Sequence, residues 1–336
     1  MTIRELAKLA HVSPATVSLV LNNKEGVSQE KREEIRSLVE KTGYKQHHQT
    51  AAGTTKITKN LLFLKILKSG YFVEQNAGFI SKIMDAVQAE CSLNGYNLTV
   101  VVAGKDFPQD LPNINAGLFD GVFVIGTELD QEDFQYLDLL TIPYIVIDNS
   151  MPNYRCNSIT MDNEGMVYTI LKHLAELHNS DFGYLHGKQE AGNFIERKTS
   201  VWASTKVLGL QMNTDRMFVL DASANGSYES MKEIIHNGTK IPQILFADND
   251  IIAIGAMKAL IENGYRIPQD IKIAGFDDIY LASLATVPLT TIHVQRRMIG
   301  KMATIMLLNH ISEKYPSYIK MKIGGTLRIR RSTENS

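Results

Sequence analysis

Cysteine is nearly absent from this chain: Cys91 and Cys156 are the only two among 336 residues. They stand far apart and in no metal-ligand spacing, so two free thiols are expected rather than a disulfide framework or a metal centre. Long apolar runs are also missing. The most apolar stretch, Leu61-Leu62-Phe63-Leu64-Lys65-Ile66-Leu67, is too short to span a bilayer and reads as a buried strand. Arg4, Glu5 and Lys8 break up any apolar segment at the start, so no secretory leader and a cytoplasmic, membrane-free protein are expected. The chain has no Gly-x-Gly-x-x-Gly or phosphate loop, no nucleophile motif and no paired carboxylates in an acid–base arrangement. Enzyme and cofactor readings therefore find no support.

What is present is uneven. The net charge of −1 hides a basic head, with 10 Lys/Arg against 6 Asp/Glu in residues 1–59, on an acidic body with 25 against 30. A polyanion at one end only suits that balance, and the mild excess suits a short site rather than broad coating. Ile3, Leu6, Ala7 and Ala10 recur at the spacing of one helix face. His11-Val12-Ser13 interrupts, and Ser13-Pro14-Ala15-Thr16-Val17-Ser18-Leu19-Val20-Leu21-Asn22 restarts a helix. Ser13 suits the N-cap and Pro14 the first helical position. Two short helices so tightly joined form a helix-turn-helix, whose second helix enters the major groove of double-stranded DNA.

Ser28 opens a third helix to about Thr42, with Gly43 as its stop, and Lys45 to Asn60 lacks apolar periodicity and reads as a linker. From residue 61 the pattern alternates strands with helices, in two runs separated near Pro152. This implies parallel sheets covered on both faces, in two similar lobes with a cleft at the carboxyl ends of their strands.

At this point the residues resemble the LacI/GalR family of bacterial repressors. The likeness rests on Ala10-His11-Val12-Ser13-Pro14-Ala15-Thr16-Val17-Ser18 and Gly43-Tyr44, then on Asn94-Gly95-Tyr96 and Phe119-Asp120-Gly121. It continues through Met161-Asp162-Asn163-Glu164, Asn249-Asp250-Ile251, Gly275-Phe276-Asp277-Asp278, Pro288-Leu289-Thr290-Thr291 and Arg331-Ser332-Thr333, in the family's order. The resemblance implies an all-α helix-turn-helix head (1–44), a hinge (45–60) and an α/β two-lobed core like the periplasmic sugar-binding proteins. One lobe would comprise 61–158 plus 292–320 and the other 159–291 plus 321–336. It further implies a homodimer on a pseudo-palindromic operator, switched by a small-molecule effector in the cleft. A solute-binding protein without the head is disfavoured by the head itself; a protein corepressor in place of a small effector stays open.

The family's base-reading positions fall on Pro14, Ala15 and Leu19. Where many members carry arginine, Leu19 offers only apolar contact, so guanine is not expected to be required opposite it, unless Leu19 faces the head's own core. Ser13, Thr16, Ser18, Asn22 and Asn23 suit phosphate oxygens or, alternatively, caps and turns, and Tyr44 completes the expected DNA set. His11 replaces a glycine common at that turn. The hinge departs most: Thr50-Ala51-Ala52-Gly53 stands where relatives carry a helix whose leucine wedges into the minor groove, and glycine has no wedge. His47 and His48 read as solvated rather than metal-binding.

For the effector, the resemblance points to Arg197 and Asp277 as sugar-holding residues, with Asn249 at the ligand and Asp250 capping the next helix. Asp148 at a strand end is pocket lining or turn. Phe72, Phe79 and Trp202 are candidates to stack on a sugar face or to fill core. Arg296 lies in a segment crossing between lobes; two arginines facing one cleft would favour a sugar phosphate or sugar acid over a neutral sugar. No metal site is expected: Asp248-Asn249-Asp250 lacks the loop and glutamate of a calcium site.

Overall fold

The structure, a computed structural model, describes residues 3–13, 16–17, 20, 27–42, 58–69, 78–114, 117–177, 181–189, 191–312 and 317–334. The chain divides into two units, Met1–Ile57 and Thr58–Ser336. In the first unit, α1 (Ile3–Leu9) and α2 (Gln29–Thr42) share a small core of Leu6, Ala7, Ala10, Val17, Val20 and Ile35. Alanines at two of those positions let the helices approach with little side-chain bulk between them.

The second unit begins at Thr58, three residues before the expected start of the core at residue 61. Asp120 accepts hydrogen bonds from the amides of Thr58 (2.8 Å) and Lys59 (2.9 Å), which moors the chain ahead of β1 (Asn60–Ile66). There follow α3 (Phe79–Leu93), β2 (Asn97–Ala103), α4 (Phe107–Ile114), β3 (Gly121–Ile125), β4 (Tyr144–Ile147) and β5 (Ser158–Met161). Next come α5 (Asn163–Ala175), β6 (Phe182–Gly187), α6 (Gly192–Leu208), β7 (Met217–Leu220), α7 (Ala224–His236) and β8 (Ile244–Ala247). The chain then forms α8 (Asp250–Glu262), β9 (Lys272–Ala274), α9 (Tyr280–Leu284), β10 (Thr291–His293), α10 (Arg296–Ile311), β11 (Lys320–Ile323) and β12 (Thr326–Arg328).

Two parallel sheets result, ordered β11-β5-β4-β3-β1-β2 in the first lobe and β7-β6-β8-β9 in the second. Parallel strands with helices on both faces have no wet side, so their sequences run apolar without alternation. Accordingly Leu61, Leu62, Phe63 and Leu64 are all fully buried, as is every residue of β3, β6 and β8. Helix α10 lies against α3 at Gly300, where a side chain would meet the Ile83 carbonyl at 2.5 Å. The outer strand β2 differs, for Val100, Val101 and Val102 are exposed along an unpaired sheet edge.

The lobe boundaries fall a few residues later than expected. Ser158–Met161 pairs with both β4 and β11, so the first crossing follows Met161, not residue 158. Strand β10 rides along the second lobe, with Gly275 N–H donating to Thr290 and Asp277 N–H to Ile292, so the second crossing falls between His293 and Arg296 rather than at 291. The pairing Lys320↔Ser158 through Ile323↔Met161 likewise moves the third crossing from 320 to after Ile323. Among the described residues no helix is long and apolar enough to cross a membrane.

Candidate functional site

A narrow cavity of about 20 Å³ opens where strands of both lobes end. Phe79, Thr127 and Asp148 line it from the first lobe; Ala191, Asn193, Phe194, Arg197, Asn249 and Asp277 line it from the second, with Met161 at the crossing. Its carboxylates sit on strained backbone. Asp148, directly after β4, has φ +68°, and Asp277, after β9, has φ +109°. Non-glycine residues persist in that region only where their surroundings hold them, and such positions cluster at functional sites.

The surroundings of Asp148 are visible. Its N–H donates to the Ile159 carbonyl at 2.9 Å. Thr127 Oγ1 donates to Oδ2 at 2.6 Å, and Asn193 Nδ2, from the other lobe, donates to Oδ1 at 3.0 Å. Asp148 is 2% exposed, and burial pushes its carboxyl up to about 6 despite the Thr127 hydrogen bond and the Arg197 charge; Asp277 adds to the rise.

Asp277 is set by a bracket behind it. Asp250 accepts from Thr291 Oγ1 (2.6 Å) and from the Ile279 amide (2.9 Å), spanning the loop that carries Asp277. Asp250 is fully buried, and burial together with the Asp277 charge holds its carboxyl well above the usual range. Gly275 admits this contact, since a side chain there would meet Asp250 Oδ1 at 2.4 Å. Neighbouring Asp278 is tied to Arg330 (2.6 Å) and His293 (2.8 Å). Burial alone would raise its carboxyl, but those two hydrogen bonds outweigh it and hold the group low.

Arg197 lies 2% exposed on α6, between these groups. Nε donates to Asn163 Oδ1 (3.0 Å), Nη1 to the Asp248 carbonyl and Nη2 to Met161 Sδ (3.0 Å), while Nη2 stands 3.6 Å from Asp277 Oδ1. The guanidinium stacks 3.9 Å from the Phe276 ring centroid. Asp248, whose carbonyl receives it, is itself fixed. Its carboxylate accepts from Tyr184 Oη and the Gly187 amide (2.9 Å), with His186 Nδ1 at 2.6 Å. Burial and the Asp248 charge push the Tyr184 phenol well above its ordinary value.

The structure thus brings Phe79, Asp148, Arg197, Asn249 and Asp277 to one cavity. Asn249 rather than Asp250 caps α8, its Oδ1 accepting from the Ile252 amide at 2.9 Å, so the expected division of labour between the two is reversed in part. Trp202 does not line the cavity: five residues beyond Arg197, it points about 140° further round the helix. Arg296 does not line it either. Its Nη2 donates to the Asp278 carbonyl at 2.9 Å, and its guanidinium lies 5.5 Å from the Phe79 ring centroid. Of the two arginines expected to face one cleft, only Arg197 lines this cavity. Phe72 lies outside the described residues. Thr127 and Asn193 are lining residues that sequence reasoning missed; short polar side chains after a strand and at a helix start carry no pattern of their own. Among the described residues no cluster of three or more His, Cys, Asp or Glu could hold a metal ion.

In the first unit Ser13 caps as expected, its Oγ accepting from the Thr16 amide at 3.1 Å and lying 2.9 Å from Thr16 Oγ1. His11 has φ +49°, which is the physical reason glycine suits that turn. Pro14, Ala15, Ser18, Leu19, Asn22, Asn23, Tyr44, His47, His48 and the hinge to residue 57 lie outside the described residues.

Known proteins bear directly on both units. Residues 2–46 match the model of bacterial regulatory proteins of the lacI family, and residues 171–333 match that of a periplasmic binding protein-like domain. The HTH-type transcriptional repressor PurR of Aliivibrio salmonicida is 28% identical over 319 residues, covering 94% of this chain and 93% of its own. That of Haemophilus influenzae is 28% identical over 343 residues, 99% of each chain. The transcriptional regulator CelR in a cellobiose complex superposes with a TM-score of 0.73 at 21% identity over 99% of both chains. A lac repressor dimer bound to operator and an anti-inducer does so at 0.72 and 23%, again over 99% of both. All four of these proteins are transcriptional regulators or repressors. The chain thus carries a head that matches the lacI family of bacterial regulatory proteins at residues 2–46, ahead of a two-lobed, periplasmic-binding-protein-like core.

Proposed function

We propose that this chain is a transcriptional repressor that acts as a homodimer on a pseudo-palindromic operator controlling carbohydrate-utilisation genes, and that a sugar or sugar derivative in the interlobe cavity changes its operator affinity. The observation that carries the reading is the cavity itself, where two buried carboxylates and a fixed arginine from different elements converge at strand ends of both lobes. Carboxylates accept from vicinal hydroxyls, and a ligand touching Asp148 and Asp277 touches both lobes at once. Pairing of two chains is supported by apolar side chains left at the surface of each lobe: Val100, Val101 and Val102 on β2, and Tyr280, Leu281 and Leu284 on α9. In the head, Ser13, Thr16, Ser18, Asn22, Asn23 and Tyr44 hold the backbone while Pro14, Ala15 and Leu19 meet base edges.

Genome-wide footprinting of the full chain tests this. The expected footprint has two inverted half-sites, centred about 10 bp apart or a multiple of that, next to sugar-catabolic genes, with no guanine required opposite Leu19. Adding sugars related to those genes should change occupancy. Footprints without two-fold symmetry, or occupancy indifferent to every such sugar, would overturn the reading.

A further inference from the structure

Resting on the effector reading above, we propose that the cavity selects a cation: a small polar amine whose ammonium lies against Asp148 and Asp277, with phosphorylated and carboxylated compounds excluded. The lining side chains carry two carboxylates, Asp148 and Asp277, against one cation, Arg197. All three are 2% exposed, so water does little to screen the imbalance. An anion would need donors from Arg197. That guanidinium has each nitrogen engaged, to Asn163, the Asp248 carbonyl and Met161, and one face covered by Phe276. Each Nη keeps a second N–H, but an anion taking it would bring a third negative charge beside two others.

A cation meets the opposite conditions. Asp148 receives one hydrogen bond on each oxygen, from the neutral groups Thr127 and Asn193, and each oxygen has a second lone pair. Its raised pKa records a negative charge that its surroundings under-compensate. Phe79 and Phe194, 3% and 4% exposed, supply dry aromatic walls that favour an ammonium over an anion. A neutral polyol would satisfy lone pairs yet leave the excess charge in place.

Thermal shift and calorimetry on the full chain test this with charge-matched sets. Glucosamine, galactosamine, mannosamine, an aminoalditol, an aminonucleoside and putrescine are each compared with hydroxyl, N-acetyl, carboxylate or phosphate counterparts; the putrescine and aminonucleoside arms distinguish an amine of any origin from an amino sugar. The expected result is that at least one amine raises the melting temperature by several degrees, while its counterparts do not. Asp148→Asn should then weaken that amine about tenfold or more, with an unliganded melting temperature no lower than the parent's. The proposal is overturned if no amine binds, if a neutral or anionic counterpart binds more tightly, or if Asp148→Asn leaves amine affinity unchanged. A neutral or anionic compound whose binding is lost in Asp277→Asn would overturn the charge assignment and leave the cavity as effector site. Binding indifferent to both substitutions would remove the cavity reading as well.

Discussion

The two walls of the cavity are built differently. The second-lobe wall is held at several points: Arg197 is fixed by Asn163, the Asp248 carbonyl and, from the crossing, Met161, and the loop of Asp277 is bracketed by Asp250. The first-lobe wall is one carboxylate, Asp148, met by a threonine and by an asparagine reaching over from the other side. Groups held by several hydrogen bonds keep their places, whereas a buried charge with neutral partners titrates and responds. One wall is therefore a fixed template, and the other is the part whose state a ligand or a proton can change.

The largest test breaks the template. Arg197→Ala leaves Asp277 and Asp148 buried without their nearby cation and should cost about 3–5 kcal/mol in urea unfolding. A loss below about 1 kcal/mol would mean that the two walls are not unequal in this way. Asp148→Asn should do the reverse. A carboxylate raised to about 6 in the folded chain, from 3.8, holds its proton more tightly folded than unfolded. Its stability contribution is therefore full below about pH 4 and is lost as pH rises through 6. The variant should be more stable than the parent by about 1–3 kcal/mol at pH 8, with the gap closing towards pH 4 in melting curves. A variant less stable than the parent at pH 8 would contradict the assignment.

Smaller effects sharpen the contrast. Asn193 donates to Asp148 and accepts from Asn163 Nδ2 at 2.9 Å, so Asn193→Ala removes a direct polar link between the walls. A loss of about 1–2 kcal/mol is expected, with faster amide exchange after β4 than in β8. Thr127→Val should cost about 1 kcal/mol at pH 8 and less below about pH 5, because the hydroxyl bonds the ionised Asp148 more strongly than the neutral one. Equal losses at both pH values would assign Thr127 to packing instead.

How far the sequence carries this depends on the kind of signal. Strand β3 and strand β8 are legible because burial on both faces leaves unbroken apolar runs. The connecting strands β10 and β12 are not, since each has three residues and its partner lies more than thirty positions away. Helix α10 was equally hidden, its pattern opening on Arg296 and Arg297 and serving two neighbours at once. At the site, Asp148, Arg197, Asn249 and Asp277 were reached through strand ends and family likeness. The role of Asn249 as cap, and the absence of Arg296 from the lining, depend on which of two adjacent side chains turns inward. Residue order does not encode that; packing against Phe79 and the Ile252 amide decides it.

The three lobe crossings have a mechanical consequence. Side by side they act as parallel straps, and two of the segments beside them are lashed together where Thr291, Ile292 and His293 pair with Arg328, Leu327 and Thr326. A joint with one strap can swivel in any direction. A joint with three can fold along the line of its straps at the cost of a few dihedral changes, while torsion about the long axis must pull the straps against one another. A ligand of this core is therefore expected to close it by hinge motion along an axis set by those three segments.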